Sequence, residues 1–168
     1  LAPQMPEAWK ALAMTQLRLD LCDEALFSAK KLISISPKDE SAWELAAGAA
    51  QRLKRMDEAV SMIERAIRLI PGSAMLNYAL GQLCREQGKF KDAAIAYQTA
   101  HTLGFDSADL YRNTAESLLE SGKSHDAVAF ARLGLDRHST DLELHRVVTR
   151  LHAESNSPGD PVEDLIAA

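Results

Sequence analysis

Met56-Asp57-Glu58-Ala59-Val60-Ser61-Met62-Ile63-Glu64-Arg65-Ala66-Ile67-Arg68-Leu69-Ile70-Pro71 decides how this chain folds. Its apolar residues recur three and four apart, at Ala59, Met62, Ile63, Ala66 and Ile67, the stripe of a helix with one buried face. Two acids open the stretch and a proline closes it, since proline lacks the N–H that would extend the ladder. The same arrangement returns on either side. Ala25, Ala59, Ala93 and Ala127 are spaced by 34 residues, each after an acid or acidic pair: Asp23-Glu24, Asp57-Glu58, Asp92 and Asp126. Trp9 and Trp43 keep the spacing, and their phase continues through Asn77, Tyr111 and His145. Pro3, Pro37 and Pro71 keep it too, before Phe105 and Ser139 replace proline. Three independent series in one phase define an internal repeat.

Each period reads as two helices. The first half carries apolar or small residues at helical spacing, as in Trp9, Leu12, Ala13 and Gln16. A break follows near Asp20, Lys54, Gly88 and Gly122, the two glycines suiting the left-handed residue that ends a helix. The expected unit is a pair of antiparallel helices of roughly 14 residues each. Four full units are expected, at 6–39, 40–73, 74–107 and 108–141, with the first helix of a fifth extending the array to 154. Residues 1–5 have the form of the end of a preceding repeat, as Leu1-Ala2-Pro3 matches Leu69-Ile70-Pro71. At the other end, 155–160 reads as a linker and 161–168 as the start of a C-terminal helix with Pro161 in its first turn.

This pattern resembles the tetratricopeptide repeat family, whose signature is W-x2-L-G-x2-Y, then A-x3-F, then P. Trp9 and Leu12 carry the match in the first unit, Leu80-Gly81 in the third, and the four alanines with Tyr97 in the second halves. Gln16, Ala50, Cys84 and Leu118 stand where tyrosine is usual. The resemblance implies an all-α, right-handed superhelical solenoid of antiparallel helix pairs that is not an enzyme and binds proteins. Alanine at the recurrent position also has a physical reason: two helices cross closely there, and a larger side chain would cost about 1–3 kcal/mol in overpacking.

Composition narrows function further. A net charge of −5, with the acidic excess in the C-terminal half, argues against nucleic acid, which needs a basic face. The longest apolar run, Leu45 to Ala50, is far short of the ~18 residues of a membrane span. No two of the eight glycines lie close enough to form a phosphate-binding loop. Cys22 and Cys84 form no disulfide framework, so a reducing, cytoplasmic setting is expected. Neither has a basic or histidine neighbour to make it nucleophilic. His101, His125, His138, His145 and His152 include no metal-binding spacing supported by carboxylates or thiols, and neither metal nor cofactor is expected. The recurrent acids are expected to be first-turn charges facing the helix dipole.

The face that stacking leaves open remains. In tetratricopeptide repeat proteins the first helices line a concave groove that holds an extended or helical peptide. Stepping along those helices off the packed positions gives Lys10, Met14 and Arg18, then Glu44, Gly48 and Arg52, then Tyr78, Gln82 and Arg85. The later units supply Arg112, Asn113, Glu116, Arg146 and Arg150. Arg18, Arg52 and Arg85 could form a basic rail for an acidic flank, interrupted by Glu44, Glu86, Glu116 and Glu120. One branch of the family clamps chaperone C-terminal carboxylates; Lys10 fits that clamp, but Met14, Leu45, Met75 and Ala79 replace its other polar groups. Gly48 sits mid-helix among small residues, which suggests close helix packing. The alternative is a dimple walled by Met14, Tyr78 and Gln82. The expected function is a protein-interaction scaffold. A docking or regulatory segment of a larger enzyme, as in repeat-fused bacterial transferases, and a self-assembly module with exposed array ends are the alternatives.

Overall fold

A computed structural model describes residues 5–155. Nine helices and no strand occur among them: α1 Pro6–Arg18, α2 Cys22–Ile35, α3 Glu40–Arg52, α4 Met56–Leu69, α5 Ala74–Glu86, α6 Phe90–Thr102, α7 Ala108–Glu120, α8 Ser124–Arg137 and α9 Leu142–Ser155. The odd helices begin every 34 residues, and so do the even ones. The expectations for Leu1-Ala2-Pro3, the linker after Ser155 and the helix at 161–168 lie outside the described residues. The chain divides after Phe105 into two compact units, one holding α1 to α6 and the other α7 to α9. In the first, each helix packs on the next, and α1, α3 and α5 also touch in sequence. In the second, α7 packs on both α8 and α9, and α8 packs on α9.

The two helices of a pair start by different devices. Odd helices from α3 onward are capped by a side chain that satisfies an orphan N–H of the first turn. Asp39 accepts from the Ser41 amide at 3.0 Å, Ser73 from Leu76 at 3.1 Å, Ser107 from Leu110 at 3.1 Å, and Asp141 from Leu144 at 2.8 Å. Even helices have no side-chain cap and leave directly from a left-handed turn. Asp20, Lys54, Gly88 and Gly122 take φ of 60°, 61°, 72° and 82°. The next residue's amide reaches back to close the preceding helix: Leu21 to the Gln16 carbonyl, Arg55 to Ala50, Lys89 to Cys84 and Lys123 to Leu118, each at 2.9 Å. That bond satisfies a carbonyl the helix end would leave unpaired. The backbone therefore repeats its left-handed residue even where the sequence supplies aspartate or lysine.

The core is built on small residues at the helix crossings. Ala25, Ala59, Ala93 and Ala127 are fully buried. Elsewhere a large side chain is matched by a missing one. Tyr97 is fully buried in α6, and a Cβ on Gly81 would lie 2.5 Å from its ring. Tyr111 is fully buried in α7, and a Cβ on Gly134 would meet it at 2.5 Å and Leu144 at 2.8 Å. Cys84 is buried as expected.

Two stability tests follow from this geometry. Lys54→Gly should raise stability by roughly 0.5 kcal/mol by removing left-handed strain, whereas Gly88→Ala should lower it by about 1 kcal/mol. Gly81→Ala should cost about 1–3 kcal/mol through overpacking. In a Tyr97→Leu background the same change should become neutral or favourable, because alanine is the better helix former. Urea unfolding of the single and double variants reads both effects.

Candidate functional site

Within the first unit, α3 and α5 present their open faces around one concavity of about 270 Å³. Of the residues proposed from the sequence, Glu44, Gly48, Tyr78 and Gln82 line it together. Ala47, Gln51, Ile63, Met75, Ala79 and Leu83 complete it. Met75 and Ala79, which spoil a carboxylate clamp, make the wall apolar; their spacing on one face of α5, Met75 three residues before Tyr78 and Ala79 three before Gln82, is the signal that could have found them. Gly48 is not there for helix packing, because a Cβ on it would meet nothing within 4 Å. The absent side chain leaves open space. Met14 lies outside the lining, 42% exposed on α1. The Tyr78 ring is held rigidly, stacked on Phe105 at 4.4 Å and tilted against Tyr97 at 5.5 Å between centroids.

Charge around this concavity is acidic. Glu44 is the one charged residue in its lining, is half-buried, and makes no hydrogen bond or ion pair among the described residues. Burial pushes its carboxyl up from the ordinary value, and the neighbouring Glu40 and Asp39 push it further, with Lys10 opposing. Lys10 itself pairs with Asp39 at 3.9 Å. The expected basic rail is largely spoken for. Arg52 donates to the Leu17 carbonyl and faces Asp20 at 3.7 Å, while Arg85 lies beside Tyr97 and partly opposes the rise that burial imposes on that phenol. Arg18 is exposed.

The second unit offers less. Asn113 is only 5% exposed, so it packs inside rather than lining an open face as the sequence suggested. Side chains on α7 and α9 neutralise one another: Arg112 with Asp109, Arg150 with Glu116 at 3.5 Å, and Arg146 with Glu143 at 2.6 Å. Asp106 holds the end of α8, accepting from Arg137 at 3.1 Å and facing the His138 ring at 2.9 Å. His145 contacts the Ser139 carbonyl at 2.7 Å, the contact Trp43 makes with Pro37 at 2.9 Å. Both are structural. No group of three metal-ligating side chains occurs among the described residues. Burial raises both the Cys22 and Cys84 thiols, the opposite of what a nucleophile needs. The expected acids do sit in the first turns of α2, α4, α6 and α8.

A second concavity, of about 630 Å³, lies on the α2 and α4 side over Trp43. Its charged groups already have partners, Lys30 with Glu58 at 2.8 Å and Arg65 over the Trp43 ring at 5.6 Å.

Residues 45–105 match the family model described as tetratricopeptide repeat. Among solved structures, a thermophilic tetratricopeptide repeat protein of Thermus thermophilus is 26% identical, with 90% of this chain and 84% of that one covered at a TM-score of 0.72. Residues 45–105 of this chain carry tetratricopeptide repeats. YrrB, described as a tetratricopeptide repeat protein with an unusual peptide-binding site, is 16% identical over 94% and 81% of the two chains, at a TM-score of 0.74. PilF of Pseudomonas aeruginosa is 17% identical over 89% and 68%, at 0.77. A search of curated proteins finds no match. Among the described residues of this repeat protein, no helix is long and apolar enough to cross a membrane.

The Asp106 network gives a pH test. Hydrogen bonding from His138, then from Arg137 and Tyr111, holds its carboxyl below the ordinary value of 3.8 despite some burial. A depressed folded pKa contributes stability above the unfolded value and loses it as pH falls through the folded one. Urea unfolding between pH 2 and 5 should show a decline that Asp106→Asn removes in part.

Proposed function

We propose that this protein is a non-catalytic interaction module that binds a peptide or partner segment along α1, α3 and α5, with an apolar side chain seated in the concavity at Gly48. The observation that carries the reading is the open space above Gly48, bounded by an apolar wall and a rigid tyrosine. A mid-helix glycine costs about 1 kcal/mol relative to alanine, and here packing does not demand it. Exposed repeat faces are what such arrays use for recognition. The peptide-binding description of YrrB supports the ligand class. A protein partner, rather than nucleic acid, suits the acidic balance, and a cytoplasmic setting suits two free, buried cysteines. Docking for an enzyme elsewhere in a longer chain and self-association remain the rival readings. Phe27, 57% exposed against Trp9, favours the second of these.

Gly48→Leu tests the proposal. Filling the open space should lower affinity for any array-selected peptide at least about tenfold, while leucine's helix propensity keeps the melting temperature unchanged or raises it. Binding that is indifferent to Gly48→Leu places the ligand elsewhere.

A further inference from the structure

The half-buried Glu44 carboxylate lines an apolar concavity and makes no hydrogen bond or ion pair among the described residues. Glu40 and Asp39 act on Glu44 as like charges, and the one cation that opposes them there, Lys10, is also engaged by Asp39. Asp39 is further occupied in capping α3 through Ser41. On the far side of the concavity Gln51 donates to Glu86 at 2.5 Å, and no cation is among the α5 residues that line the site. A carboxylate drawn partly out of water, beside like charges, is a cost to the fold. The cost is recovered if a ligand supplies the missing positive charge, since charge-assisted bonds in a partly desolvated site are among the stronger ones.

Resting on the groove reading above, we infer that the site selects a peptide carrying Lys or Arg next to an apolar residue, the apolar side chain filling the space over Gly48 and the cation meeting Glu44. This reverses the acidic flank that the arginine positions alone suggested. Arg52 is turned to Leu17 and Asp20, whereas Glu44 has only the Lys10 ammonium that Asp39 also engages. Burial raises the Glu44 carboxyl, and a bound cation should bring it down again.

The experiment probes an array of N-acetylated 12-residue peptides of random sequence with the labelled 168-residue chain and three variants, Glu44→Gln, Gly48→Leu and Asp136→Asn. N-acetylation removes the terminal ammonium, so that Lys and Arg side chains supply the positive charge. Peptides bound by the unaltered chain and lost with Gly48→Leu should be enriched in Lys or Arg within three residues of a large apolar residue. Glu44→Gln should weaken them about tenfold and abolish the enrichment, while melting at the same or a higher temperature. Asp136→Asn, which removes one exposed acid from α8, should change neither; an equal loss there would reduce the effect to net charge and overturn the inference. Gly48-dependent peptides without basic enrichment, or binding Glu44→Gln equally well, overturn it while leaving the groove reading intact. An array with no Gly48-dependent peptide overturns the groove reading and this inference with it.

Discussion

Everything in this protein depends on how closely the two helices of a repeat can cross. Ala25, Ala59, Ala93 and Ala127 mark the crossings and have no exposure at all, so neither helix can move away without opening a void or move closer without a clash. Side-chain volume is shared across each crossing rather than fixed residue by residue. Tyr97 is admitted because Gly81 has no side chain, and Tyr111 because Gly134 has none. Helix starts keep their spacing although Gln16, Ala50, Cys84 and Leu118 stand where the signature has tyrosine.

The two ends of each helix pair divide the remaining work. Side-chain caps at Asp39, Ser73, Ser107 and Asp141 fix where odd helices begin, and left-handed turns fix where even helices leave. With both ends fixed, the odd helices of the first unit lie side by side and show their open faces together. Gly48 then becomes informative. In a helix whose alanines are all buried, its missing side chain faces open space.

Much of the fold was legible in the sequence because packing positions repeat in a fixed phase. The alanine series, the breaks at Asp20, Lys54, Gly88 and Gly122, and the first-turn acids all appear where the spacing puts them. The capping series at Asp39, Ser73, Ser107 and Asp141 was equally regular but is masked by its mixed residue types. The left-handed aspartate and lysine were hidden for a similar reason, as only glycine advertises that conformation. The site was less legible. Helical phase puts Glu44, Gly48, Tyr78 and Gln82 on one face, yet it cannot tell that Asn113 is enclosed or that Arg52 is held by a carbonyl of the preceding repeat. Pairing between charges on neighbouring helices depends on side-chain reach across the stack, which one helix's periodicity does not encode. The fate of Glu44, left over when its neighbours pair, is visible only once those pairs are counted.

Backbone amide shifts of the ¹⁵N-labelled chain during titration with an array-selected peptide test the central claim most directly. The account predicts saturable shifts concentrated at Glu44, Gly48, Tyr78 and Gln82, with Gly48 among the largest. Shifts concentrated instead on the α2 and α4 side, around Met62 and Arg65, would contradict it.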